Sequence, residues 1–101
     1  MKSILPFLFV CITCAIHAQD KTTSAEVIIR EACSLAAKER KNVFILFHAS
    51  WCGWCHKMDT AMNDAKVRDM FASNYIIRNI VVHEFEDKKK LENPGGEILL
   101  K

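Results

Sequence analysis

Cys52 and Cys55 stand three positions apart in the segment 51–55, with the order Trp-Cys-Gly-Trp-Cys. Two cysteines with this spacing can close a small disulfide and reopen it. The thiolate, and not the thiol, is the species that attacks a disulfide, so useful exchange needs surroundings that favour the ionised sulfur. Those surroundings must come from the elements on either side of the pair.

The flanking residues predict a strand before the pair and a helix after it. Residues 43–47 form an apolar run typical of a buried strand, and residues 55–62 have the composition of a helix. This order places Cys52 at a helix N-terminus, where unpaired N–H groups and the positive end of the helix dipole favour a thiolate. Cys55 follows one turn later, close enough to resolve a mixed disulfide at Cys52.

A Cys-x-x-Cys pair also occurs in structural zinc sites, which need four ligands. The two sulfurs together with His48 or His83 would supply part of such a site, but no second ligand pair has finger-like spacing. Redox chemistry is therefore favoured, no metal and no cofactor is expected, and structural zinc binding stays as a third alternative. A purely structural disulfide is disfavoured because so short a loop hardly constrains the unfolded chain.

Residues 47–58, Phe-His-Ala-Ser-Trp-Cys-Gly-Trp-Cys-His-Lys-Met, resemble the active-site segment of the thioredoxin superfamily. They look most like secreted bacterial thioredoxin-like proteins with a Trp-Cys-x-x-Cys centre. The resemblance implies that Cys52 is the attacking thiol, that Cys55 is the buried resolving thiol and that Trp51 shields the sulfurs. It also implies that protein thiols or disulfides are the substrates.

Further neighbours of the cysteines are candidate supporting residues. Trp54 is expected to be exposed, as a contact surface for a thiol substrate, and Gly53 separates it from Cys52. His56 follows Cys55 directly and adds positive charge when it is protonated, a modest effect at neutral pH. His48 and His56 are more often surface or hydrogen-bonded residues than catalytic ones.

The sequence departs from thioredoxin at several positions. Trp54 stands where thioredoxin has proline between the cysteines, Leu46 aligns with a buried acid that assists proton transfer, and His48 stands where thioredoxin often has tryptophan. The implied fold class is α/β: the N-terminal βαβ half of a thioredoxin-like fold with a preceding helix, its C-terminal ββα half absent. Pro94 is not expected to be the family's cis-proline. A partner chain is one way to complete such a sheet.

The remaining pattern predicts alternating elements. Ser24 is a good N-cap for a helix over residues 25–38. Strands over 43–48 and 75–82 should pair in parallel across the motif helix, which ends near residue 63. Further elements are a short helix over 65–72, capped by Asn63 and Asp64, a solvated charged loop over 84–90, and a last helix begun by Asn93 and Pro94. Side chains expected in the core include Cys33, Met58, Met62 and Met70.

The amino terminus has the features of a signal peptide. Lys2 precedes an apolar stretch over residues 4–16, and Ala18 offers an acceptable cleavage site before Gln19. The apolar stretch is shorter than the roughly 20 residues of a membrane span. An uncleaved anchor and a lipoprotein are the alternatives. We expect cleavage, a periplasmic or secreted protein, and no membrane association of the mature form.

Residues 19–101 are long enough for one small domain, expected here as a thioredoxin-like domain that is incomplete. The net charge of +2 gives no indication of nucleic-acid binding. Two classes of function remain. The first is an enzyme, a thiol–disulfide oxidoreductase with a redox-active centre. The second is a non-catalytic or fragmentary thioredoxin-like module.

Overall fold

The structure is a computed structural model, and it describes residues 22–101. The predicted signal peptide and its cleavage site lie outside the described residues, so the division of the chain at residue 18 stays a prediction. The main elements are α1 (Ala25–Glu39), β1 (Asn42–His48), α2 (Gly53–Met62), α3 (Arg68–Asn74) and β2 (Tyr75–Val81). Two short 3₁₀ helices, Glu86–Leu91 and Gly96–Leu100, follow β2. Within residues 22–101, none of the helices has the length and apolar character needed to cross a membrane.

The two strands pair in parallel. Asn42 lies opposite Tyr75 at the start of the sheet, and His48 lies opposite Val81 at its end. Helices α2 and α3 form the connection between the strands, as a parallel pair requires a long crossover. The predicted βαβ unit with a preceding helix is therefore confirmed.

Helix α1 covers the sheet with a face of small residues. Ser24 caps it, because the Ser24 side chain accepts a hydrogen bond of 3.3 Å from the Val27 N–H. Ala25 packs with Ile80, near the end of β2, and with Val82, which follows the strand. Ala32 and Ala36 pack with Ile76. Alanines at these positions let the helix backbone approach the strand closely, and the fully buried Ile80 fills the contact.

The expected burial of Cys33 is wrong. Cys33 is exposed, whereas its neighbour Ala32 is fully buried. One residue is about 100° of rotation on a helix, so the buried stripe centred on Ala32 and Ala36 turns Cys33 towards solvent. A stripe made of alanines has too little hydrophobic contrast to be located from sequence alone.

Helices α2 and α3 also differ in detail from expectation. Met62 is buried as predicted, but Met58 and Met70 are exposed. Helix α3 begins at Arg68 and not at residue 65. The reason is local, since the Asp64 carboxylate accepts the Lys66 N–H and forms a turn instead of capping a helix.

The segment after β2 folds back onto the sheet. The carbonyl of Pro94 accepts the N–H of Ala25, which joins this segment to the start of α1. Gly96 is buried so tightly that a Cβ there would lie 2.7 Å from a Val82 methyl and 2.8 Å from an Ile80 methyl. No cis peptide bond occurs in the described part of the chain, so Pro94 is trans. The predicted last helix is a short 3₁₀ helix.

Candidate active site

The two motif cysteines lie at the junction of β1 and α2 and are joined by a disulfide. Cys52 is the N-cap of α2, and its Sγ accepts the N–H of Cys55 at 3.2 Å. Cys55 Sγ lies 3.8 Å from the carbonyl oxygen of Phe47, on the inner side of the pair. The predicted position of Cys52 at a helix N-terminus is confirmed. Both cysteines are only partly buried.

The loop before the disulfide is held by a carboxylate from the segment after β2. Glu84 is 4 % exposed and accepts hydrogen bonds from the Ser50 backbone N–H at 2.5 Å and from the Ser50 hydroxyl at 2.7 Å. These hydrogen bonds lower the pKa of the Glu84 carboxyl below its ordinary value, although burial alone would raise it. The carboxylate thus fixes the backbone two residues before Cys52.

Sequence reasoning missed Glu84, because the charge run over 84–90 was expected to be a solvated loop. Most of this run does lie in an exposed 3₁₀ helix. Glu84 and Ser50 are 34 residues apart, and no local pattern connects them. Its position two residues after a predicted strand was the only available signal.

The two tryptophans flank the disulfide in different ways. Trp51 is half exposed, its indole N–H donates to the His83 carbonyl at 2.7 Å, and its ring lies 6.0 Å from that of Phe85. It borders, with both cysteines, a pocket of about 190 Å³. Trp54 is 80 % exposed, as expected, and Lys57 Nζ lies 4.4 Å from its ring centroid.

The remaining candidate residues lie along the start of α2. Gly53 is the first residue of the helix and is exposed. His56 is exposed, with Nε2 3.2 Å from the Ser50 carbonyl oxygen. His48 ends β1, where its Nε2 lies 3.4 Å from an oxygen of Asp59, and its ring centroid is 5.0 Å from that of His56. The structure thus brings all the predicted site residues to one end of the sheet.

The inner side of the disulfide lacks the acid that thioredoxin has at the position of Leu46. Leu46 and Cys55 line a common pocket of about 240 Å³. The ionisable side chains at this pocket are His48 and Asp59. A proton leaving or reaching Cys55 therefore has an imidazole and a carboxylate nearby, supplied by positions other than that of the family's acid.

A parallel strand that leads into a helix capped by one cysteine of a disulfide-bonded Cys-x-x-Cys pair defines a redox-type α/β domain. Residues 25–98 match a protein family described as thioredoxin-like. The chain belongs to this thioredoxin-like family. No curated protein and no solved structure gives a significant match to the chain. The family assignment and the Cys52–Cys55 pair at bonding distance together support a redox-type function.

Proposed function

We propose that the protein is a thiol–disulfide oxidoreductase of the cell envelope that cycles Cys52 and Cys55 between dithiol and disulfide. The observation that carries the proposal is the position of Cys52. It caps α2, and its Sγ accepts the Cys55 N–H, an interaction that stabilises a thiolate more than a thiol.

The exchange proceeds in two balanced steps. The Cys52 thiolate attacks one sulfur of a substrate disulfide, forms a mixed disulfide and releases the other substrate sulfur as a thiolate. Cys55, deprotonated in turn, attacks Cys52 Sγ and releases the second substrate thiolate. The substrate gains two electrons and takes up two protons as its thiols form, while Cys52 and Cys55 become the disulfide. The reverse sequence oxidises a substrate dithiol.

The surroundings of the disulfide suit a polypeptide substrate. Several large apolar side chains around the disulfide are exposed. Trp51 and Leu100 line one pocket with the cysteines, Trp54 lines another with Cys55, and Phe85 lies against Trp51. An exposed apolar patch next to a reactive centre is typical of a binding surface. We assign protein thiols and disulfides as the substrate class on this basis and on the family membership.

The proposed location rests on the amino-terminal sequence alone. Lys2, the apolar residues 4–16 and Ala18 follow the order of a cleaved signal peptide. An exported protein with an exchangeable disulfide is chemically consistent, since disulfides persist in oxidising compartments.

Reduction of insulin by dithiothreitol tests the proposed activity. The protein should accelerate the appearance of insulin turbidity, and Cys52→Ser should abolish the acceleration. Cys33→Ser is the matched control, because it removes an exposed cysteine outside the motif. A wild-type rate equal to that of Cys52→Ser would favour the non-catalytic module instead.

A further inference from the structure

We propose that His48, His56 and Asp59 form a binding site for a divalent transition-metal ion, Zn²⁺ by preference, beside the disulfide. One nitrogen from each imidazole and one carboxylate oxygen all lie within 4.8 Å of one another. The sulfurs of Cys52 and Cys55 are bonded to each other and are therefore not available as ligands. The proposed site is thus distinct from a cysteine-based zinc site.

The fold brings the three side chains together. His56 and Asp59 are three residues apart on α2 and therefore share one face of the helix. His48 is the last residue of β1 and meets that face from the sheet. Two elements that are already fixed by the βαβ packing thus supply all three ligands.

The hydrogen bonds of the cluster suit metal binding. A carbonyl oxygen can only accept, so a hydrogen bond between His56 Nε2 and the Ser50 carbonyl requires the tautomer that carries its hydrogen on Nε2. The lone pair of His56 is then on Nδ1. Metal-bound histidines usually donate the N–H of their other ring nitrogen to a carboxylate, a backbone carbonyl or water, which fixes the tautomer and the orientation of the ring.

The contact between His48 and Asp59 leaves room for an ion. Nε2 and Oδ2 are 3.4 Å apart, longer than a good hydrogen bond and close to the separation of about 3.4 Å between two ligands of a tetrahedral zinc. His48 is the only basic group within 4.0 Å of Asp59 among residues 22–101. The Asp59 carboxylate is partly buried and has no lysine or arginine within that distance there.

The donor set favours zinc over the alkaline-earth ions. Two imidazoles and one carboxylate are the protein ligands of many zinc centres with an open fourth position, whereas Ca²⁺ and Mg²⁺ prefer oxygen. The three ligand atoms lie up to 4.8 Å apart, farther than the roughly 3.4 Å between two ligand atoms of a tetrahedral zinc. Binding of zinc therefore requires at least one of the three side chains to move closer to the other two.

The test uses the oxidised protein, in which the motif sulfurs cannot bind a metal. The full chain is oxidised, its other cysteines are alkylated, and Co²⁺ is added while visible absorption is recorded. Zn²⁺ is then used to displace Co²⁺. We expect one equivalent to bind, and we expect His56→Gln and Asp59→Asn each to weaken binding at least about tenfold.

His83→Gln and His17→Gln are the matched controls, since each removes a histidine outside the cluster. Far-UV circular dichroism establishes that every variant is folded as the wild type is. Binding that survives both controls and is lost in both cluster variants supports the site. No saturable binding by the oxidised wild type, or an equal loss in His83→Gln or His17→Gln, would overturn it.

Discussion

Both carboxylate oxygens of Glu84 accept hydrogen bonds from Ser50, one from the backbone N–H and the other from the hydroxyl. The contact joins the segment after β2 to the loop that carries Cys52, across 34 residues of sequence. Glu84 is itself held by Glu92, whose carboxylate accepts the Glu84 N–H at 2.9 Å. The position of the redox-active loop therefore depends on a carboxylate that is not part of the motif.

The first prediction is a loss of stability in acid that depends on Glu84. Its folded-state pKa lies below its ordinary value of 4.5, so the folded protein binds fewer protons than the unfolded chain in this range. The contribution of the Glu84 carboxylate to the free energy of unfolding is present above about pH 4.5. It is lost as the pH falls through the lower pKa that Glu84 has in the folded protein. Urea unfolding followed between pH 3 and 7 should show this decline.

Glu84→Gln should lower the urea concentration at the midpoint of unfolding at pH 7. It should also make the loss of stability between pH 7 and pH 3 smaller than in the wild type. Glu92, whose pKa is also lowered by its hydrogen bond from Lys89, leaves a residual slope. Glu26→Gln, on the exposed face of α1, is the control and should leave the profile unchanged. Equal profiles for Glu84→Gln and the wild type would contradict the assigned role of Glu84.

The second prediction concerns the order of thiol reactivity in the reduced protein. Cys52 caps α2 and should have the lower thiol pKa, because helix N-termini bring motif cysteines to about 3.5–7.5 from about 8.5. Iodoacetamide at pH 7 should therefore alkylate Cys52 at least about fivefold faster than Cys55. Peptide mapping by mass spectrometry measures both, and faster labelling of Cys55 would reverse the assignment.

The third prediction separates substrate contact from chemistry at Trp54. Trp54→Ala should raise the KM for insulin about three- to tenfold, the effect of losing roughly 1 kcal/mol of contact. Its reaction with a small aliphatic disulfide should stay unchanged, because the indole is 80 % exposed and takes no part in the exchange of bonds between sulfurs. An equal loss with both substrates would mean that Trp54 supports the disulfide itself.

The fourth prediction concerns export. The protein isolated from its native host should begin near Gln19, after cleavage at Ala18, and should be found outside the cytoplasm. N-terminal sequencing and cell fractionation measure both properties. A soluble cytoplasmic species that keeps Met1 would contradict the proposed location.

Much of the fold could be predicted because its signals are local. The Ser24 cap, the apolar run before the motif and the β-rich segment over 75–82 each specify an element without distant partners. The position of Cys52 at the start of α2 follows from the same kind of local order. The parallel pairing then follows from the length of the crossover.

What sequence reasoning missed depends on tertiary contacts. The Glu84–Ser50 contact and the approach of His48 to Asp59 exist only after the two strands have paired. The exposure of Cys33 depends on which side of an alanine-rich helix meets the sheet. In each case the deciding partner is on another element, so no spacing within one element reveals it.

The most direct test of the proposed exchange reaction is to trap its intermediate. In a Cys33→Ser background, reduced Cys55→Ser is mixed with a disulfide-bonded peptide and digested, and the mixed disulfide is located by mass spectrometry. We expect a stable adduct at Cys52, because the resolving thiol is missing. With Cys55 intact the adduct should give way to the Cys52–Cys55 disulfide. No adduct at Cys52 in Cys55→Ser, or an equal adduct at Cys55 in Cys52→Ser, would contradict it.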